Sequence, residues 1–251
     1  MLDRLFLYHP APWEERDWAR LSGLPLEEVR FRAKDGPELF GWYLRAPRSS
    51  AVLLWCHGNA GNVTHRLENL RALYQTGLSV LLFDYRGYGR SEGRPSEQGL
   101  YRDALAAYDH LVIHQHIDSE RLVLFGRSLG GAVAGELAVR RRAAGLILES
   151  TFPSVEAVAR FHYWGLPAHW LIGAEFRLVD RLPHLMLPSL VIHGDQDDLI
   201  PPALGKAVFD ALKGPKTFYL VKGADHNNLP FQGGLAYFTR LRSFIESVVR
   251  G

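Results

Sequence analysis

Short apolar runs separated by helix-forming stretches constrain this chain more than any other feature. They lie at 52–56, 78–83, 121–125, 145–148, 190–192 and 217–221, with helical patterns at 65–75, 96–114, 131–142, 202–212 and 234–249. Runs of this length are too short for helices and, lacking polar alternation, read as strands buried on both faces. Two earlier runs, 27–33 and 39–45, flank Asp35-Gly36-Pro37 and read as an opening antiparallel pair. The expected fold class is therefore α/β, a mostly parallel central sheet with helices on both faces. At 251 residues and 47% hydrophobic, the chain can bury one sizeable core. Residues 1–251 read as a single domain, with a short helical cap inserted at about 151–182. Ligands of such sheets bind where the strands end at their carboxyl side.

Gly126-Arg127-Ser128-Leu129-Gly130 joins the run ending at Phe125 to a helical stretch, so one serine occupies a strand-to-helix corner. G-x-S-x-G is the pattern of a nucleophile elbow, in which the flanking glycines allow a sharp turn that lifts the hydroxyl off the strand end. A serine hydroxyl is a poor nucleophile at neutral pH. It needs a neutral imidazole to take its proton and a carboxylate behind the ring to fix the tautomer. Both follow Ser128, in the order nucleophile, acid, histidine. The run 217–221 ends in Lys222-Gly223-Ala224-Asp225-His226-Asn227, which puts His226, the expected base, on the loop before the last helix. The run 190–192 leads into His193-Gly194-Asp195-Gln196-Asp197-Asp198-Leu199-Ile200-Pro201, where three aspartates stand past a strand end and spacing alone does not separate Asp197 from Asp198. His57 and His193 each precede a glycine at a strand end and read as side chains that hold their loops. His110, His114 and His116 have no cysteine or carboxylate at metal-ligand spacing and read as an exposed helix end, so no metal is expected.

A tetrahedral intermediate also needs two backbone donors aimed at its oxygen. The N–H of Leu129, immediately after the nucleophile, is one. Asn59 N–H, on the loop His57-Gly58-Asn59-Ala60-Gly61-Asn62 after the run 52–56, is the candidate for the other.

His57 to Asn62, Asp84-Tyr85-Arg86-Gly87-Tyr88-Gly89-Arg90-Ser91-Glu92-Gly93, Phe125 to Gly131 and Gly223-Ala224-Asp225-His226-Asn227 together resemble the α/β-hydrolase superfamily. The likeness is to the branch of eukaryotic protein depalmitoylases and their bacterial esterase relatives. It implies the α/β-hydrolase fold and a Ser-His-Asp triad without a cofactor, and it selects the acid. His-Gly-x-x-Asp-x-x-Ile/Val-Pro is similar to the acid loop of many serine hydrolases, and its aspartate falls on Asp197. Members of that branch often carry an N-terminal membrane anchor; this chain opens Met1-Leu2-Asp3-Arg4 without one, which argues against membrane-bound acyl substrates. The glycines of 87–93 are spaced G-x-G-x-x-x-G, and Pro95 precedes the next helix, so a bound dinucleotide is not expected. This loop reads as a support for the site's rim, with Arg86 or Arg90 tied to neighbouring carbonyls or carboxylates.

The formal net charge is only +2, which makes no case for nucleic acid. One cysteine, Cys56, excludes a disulfide framework and reads as a buried bystander. No apolar stretch is long enough for a transmembrane segment and no signal-like segment opens the chain, so a cytoplasmic location is expected. The insertion is rich in large apolar side chains, among them Phe152, Phe161, Trp164 and Trp170, which could line a pocket for a small-molecule acyl ester or thioester of small to medium chain length. The expected activity is therefore that of a serine hydrolase acting on carboxylic esters or thioesters through an acyl-enzyme. An aminopeptidase-like amide hydrolase would use the same triad but need an acidic pocket for a free amine, and Glu156, Glu175 and Asp180 do not establish one. A non-catalytic binding module of the same fold commonly lacks one of the catalytic types, and none is lacking here.

Overall fold

The computed structural model describes residues 7–47, 49–162 and 173–249. Eight strands form the central sheet: β1 Glu27–Arg32, β2 Glu38–Leu44, β3 Val52–Cys56, β4 Ser79–Phe83, β5 Leu122–Arg127, β6 Gly145–Glu149, β7 Ser189–Gly194 and β8 Lys216–Val221. Their order across the sheet is β8-β7-β6-β5-β3-β4-β2-β1. From β3 to β8 all pairings are parallel, whereas β2 runs antiparallel to both β1 and β4. The expected α/β architecture with an opening antiparallel pair is thus the observed one.

Helices cover both faces because the central strands are apolar on both, whereas the edge strand β1 alternates and buries only Val29 and Phe31. On one side Leu54, Leu81, Phe83, Leu124 and Leu148 pack against α3 (Glu97–Asp109), α4 (Leu129–Arg140) and α6 (Pro202–Ala211). On the other, Leu53, Trp55, Leu82, Phe125 and Ile192 meet α2 (Leu67–Gln75) and α7 (Leu229–Val248). Two shorter helices, α1 (Trp18–Ser22) and α5 (Val155–His162), lie outside this sandwich. Full burial of a Leu, Val or Phe side chain contributes about 1.5–3 kcal/mol, so these layers supply the main driving force for closure.

The glycine-rich segment after β4 is anchored by Arg86. Its guanidinium bonds Asp103 of α3 and, through both terminal nitrogens at 2.8 Å, Asp35 of the β1–β2 turn. Arg90, the other candidate anchor, reaches Glu28 of β1 at 3.3 Å. The side chain of Arg86 is almost fully buried and Asp103 wholly so, and the geometry is bidentate, the arrangement in which a buried pair holds elements in register.

Some boundaries differ from expectation. The final helix begins at Leu229 rather than 234, with Pro in its first turn, and breaks at Gly234, whose φ of 49° and ψ of −137° lie outside helical space. The long helix expected at 96–114 runs as α3 to Asp109 and continues through a wider π-type turn, His110–His114. His110 is buried there and stacks on Phe31, so the expected exposed histidine cluster is partly core. No helix among the described residues is long and apolar enough to cross a membrane.

Candidate active site

β5 carries Gly126 and Arg127 to the carboxyl edge of the sheet, and the chain turns at Ser128, with φ 53° and ψ −121°, into α4. Positive φ is uncommon for a residue bearing a Cβ and persists only where the surroundings over-determine it. They do so here. Ser128 N–H donates to Glu149 O at 2.8 Å, while Ser128 O accepts from Gly131 N and from Thr151 Oγ1, each at 2.9 Å. The flanking glycines are required for space as well as for the turn. A Cβ on Gly126 would stand 2.3 Å from Gly130 O, and one on Gly130 would stand 2.0 Å from Cys56 O and 2.5 Å from His57 O.

Three side chains distant in sequence meet above this corner. His226 Nε2 lies 3.2 Å from Ser128 Oγ, and its Nδ1 lies 2.8 Å from Asp197 Oδ2. All three residues are buried. Asp197 is held by the loop after β7: its Oδ1 accepts from Ile200 N at 2.7 Å, and His193 Nε2 lies 3.4 Å from Oδ2. Burial alone would raise the Asp197 carboxyl, but the hydrogen bonds from His193 and His226 outweigh it and hold the group well below the usual carboxylate range. Asp195 instead accepts from Gly223 N at 2.6 Å, and Asp198 is exposed. Of the three sequence candidates, only Asp197 reaches the imidazole.

The loop carrying His226 is braced on two sides. Asp225 Oδ1 accepts the N–H groups of Asn227 at 2.7 Å and Asn228 at 3.0 Å, an Asx-type turn leading into α7. From the other side, Arg127 donates to His226 O at 2.7 Å and to Asn227 Oδ1 at 3.2 Å. No spacing rule points from the second residue of G-x-S-x-G to a carbonyl about a hundred residues on, so sequence reasoning passed over Arg127.

Beside Ser128 runs the loop after β3, so close that a Cβ on Gly58 would stand 3.5 Å from Ser128 Cβ. The His57 ring donates through Nδ1 to Gly58 O at 2.6 Å, and in a trans peptide the following Asn59 N–H then points away from that ring. Asn59 O is held by His9 N at 3.0 Å and Tyr88 Oη at 2.8 Å. Leu129 N–H is in the first turn of α4, where helix geometry offers it no partner. Beneath the loop, His57 Nε2 lies 3.8 Å from Asp84 Oδ1, which accepts from Val63 N at 2.9 Å. Burial pushes the Asp84 carboxyl up to about 7 and the His57 imidazole down to about 3, so both neutral forms are favoured. Burial likewise pushes the Cys56 thiol up to about 12, as a bystander requires.

Phe152 is packed in the core, whereas Phe161 on α5 is 54% exposed, its ring edge-on to His162. Trp164 and Trp170, also expected at the pocket, lie outside the described residues. Glu156 pairs with Arg160 and Arg177, and Asp180 pairs with Arg177.

Residues 47–173, about half of the chain, match the family described as serine aminopeptidase, S33. An uncharacterized protein of Mycobacterium tuberculosis is 41% identical over 227 residues, covering 89% of this chain and 81% of that relative. The α/β hydrolase domain-containing protein WAV2 of Arabidopsis thaliana is 34% identical, covering 91% and 80%. Bem46 of Schizosaccharomyces pombe is 32% identical, covering 87% and 76%. Among solved structures, an esterase of Pyrococcus furiosus superposes with a TM-score of 0.79 at 19% identity, covering 97% of this chain and 99% of that one. With its eight-stranded sheet and serine elbow, the chain belongs to this family of the α/β-hydrolase superfamily and is a hydrolase.

Proposed function

We propose that the protein cleaves carboxylic esters or thioesters of small to medium acyl groups through an acyl-enzyme. The observation that carries this reading is the continuous relay from Ser128 Oγ through the His226 ring, at 3.2 and 2.8 Å, to Asp197. In the first half-reaction Ser128 Oγ attacks the acyl carbon while His226 Nε2 takes its proton. The tetrahedral oxyanion is held by the N–H groups of Leu129 and Asn59, with the N-terminus of α4 adding a favourable dipole. His226 then gives the proton to the leaving alcohol or thiol, and the acyl group stays on Ser128. In the second half, water loses a proton to His226 as it attacks the acyl carbon, and His226 returns that proton to Ser128 Oγ as the acid leaves. Asp197 remains ionised throughout. It fixes the tautomer with the proton on Nδ1 and stabilises the imidazolium.

Fold neighbours that are esterases, from Pyrococcus furiosus and Exiguobacterium antarcticum, are in keeping with this reading. The family description favours a second one, an amide hydrolase that recognises a free amino terminus. Against it, Glu156 and Asp180 of the insertion are already paired with arginines, which leaves their charge compensated rather than offered to an ammonium group. A panel of acyl esters, thioesters and aminoacyl amides of graded chain length tests both. Ser128→Ala should reduce ester turnover by on the order of 10⁶-fold with the fold intact, because triad members act as a unit. Retention of most activity by that variant, or faster cleavage of aminoacyl amides than of esters by the wild type, would reject the proposal.

A further inference from the structure

A buried polar cluster lies behind the site and takes no part in the relay. Arg127 and Glu149 are almost fully buried, with Arg127 Nε 3.2 Å from Glu149 Oε1. Glu149 Oε2 accepts from the hydroxyl of Tyr237, which is buried on α7. Two features make this more than a structural ion pair. Arg127 is covalently next to Ser128, and its guanidinium donates to the carbonyl of His226 itself. Glu149 is bound twice to the same corner, since its backbone carbonyl takes the N–H of Ser128 while its carboxylate faces Arg127. Residues 128 and 226 are therefore tied through one strut as well as through the relay.

We propose that Arg127, seated on Glu149, is a positioning residue that sets the separation between Ser128 Oγ and His226 Nε2. This rests on the reading of Ser128 and His226 as nucleophile and base. A buried guanidinium suits the task because its Nη2 donates to the His226 carbonyl from a rigid plane while its charge pairs with the Glu149 carboxylate at 3.2 Å, a two-sided reach that a compact ammonium does not reproduce. The carboxylate is required in turn, because an unpaired buried cation would not stay in place. Tyr237 bonds Oε2 of Glu149 while Arg127 faces Oε1, and among the described residues no hydrogen bond or ring contact joins Tyr237 to His226.

That asymmetry supplies the test. Arg127→Met, Arg127→Lys, Glu149→Gln and Tyr237→Phe are compared with the wild type for kcat, KM and thermal midpoint on a short-chain ester, alongside Ser128→Ala. Arg127→Met should lower kcat by about 10²-fold, the effect of roughly 1 Å of misplacement, with KM within about twofold. Arg127→Lys should recover part of kcat, since its ammonium can still donate to His226 O. Tyr237→Phe should lower the thermal midpoint while kcat stays within about threefold. Glu149→Gln keeps the acceptor without the charge and should fall between. If Arg127→Met does not fold, the Lys and Gln variants carry the same comparison. The proposal is overturned if kcat follows the thermal midpoint across all variants, Tyr237→Phe included, or if every folded strut variant keeps wild-type kcat while Ser128→Ala is dead. Activity in Ser128→Ala would instead remove the underlying reading of the triad.

Discussion

Gly130→Ala sets two effects against each other, and the structure decides between them. Residue 130 lies in the first turn of α4, where alanine is the better helix former by about 1 kcal/mol. Propensity alone therefore makes the variant more stable. The added Cβ, however, would stand 2.0 Å from Cys56 O and 2.5 Å from His57 O, while ordinary contact begins near 3.4 Å, so backbone must yield by about 1.4 Å. Neither obstacle is the flexible end of a side chain. Overpacking costs typically about 1–3 kcal/mol, and with two backbone carbonyls in the way the cost falls in the upper part of that range, about 1–2 kcal/mol beyond the propensity gain. For a chain of this size each kcal/mol corresponds to about 2–4 °C, so the thermal midpoint should fall by several degrees. The displaced segment leads into Gly58, where an added Cβ would stand 3.5 Å from Ser128 Cβ, and into the proposed oxyanion donor Asn59. Moving it by an ångström or more should reduce kcat by on the order of 10²-fold. Differential scanning calorimetry and ester hydrolysis, normalised by titration of the reactive serine with a phosphonate, measure the two effects separately. A variant that melts at or above the wild type and keeps kcat within twofold would refute the close-approach argument.

Two further outcomes test the site. Asp197→Asn should lower kcat by about 10⁴-fold, because an amide no longer fixes the tautomer, whereas Asp198→Asn should stay within a few-fold; the reverse order in steady-state assays would move the acid by one residue. The pair beneath the oxyanion loop should show in stability against pH. The raised Asp84 contributes stability that is full below 3.8 and lost as pH rises through about 7, whereas the lowered His57 contributes stability present above 6.5 and lost as pH falls through about 3. Over the shared window the two slopes cancel. Relative to the wild type, Asp84→Asn should therefore make stability rise more steeply between pH 4 and 6, and His57→Asn should make it fall more steeply. Denaturant titrations that stay parallel for wild type and both variants would refute the assignment.

The sheet was legible because its central strands are apolar on both faces, and the elbow because the G-x-S-x-G glycines stand where the structure leaves no room for a Cβ. Strand ends were read short for a physical reason. Hydropathy stops at Phe125, Leu148 and Ile192, but the ladders continue through Arg127, Glu149 and Gly194, where polar residues pair through their backbones as they enter the site. Two of these, Arg127 and Glu149, form the strut, which is why it too was missed: an arginine inside a motif and a glutamate at a strand end carry no periodic signal. Spacing could not separate Asp197 from Asp198, since the choice depends on which carboxylate the turn at Ile200 folds inward. The strand order across the sheet was likewise closed to a pattern argument, because β3 lies between β4 and β5 by long-range pairing alone.

The neck of the segment between β6 and β7 has a practical consequence for anyone replacing that segment. Two backbone bonds, Val155 N to Glu175 O at 2.9 Å and Val179 N to Pro153 O at 3.0 Å, cinch the chain where it leaves and rejoins the body. Upstream of that cinch, Thr151 still braces the elbow through its hydroxyl. A foreign segment spliced between 156 and 174 would inherit a closed collar and an undisturbed nucleophile, whereas one grafted from 150 onward would remove the Thr151 bond that braces the elbow.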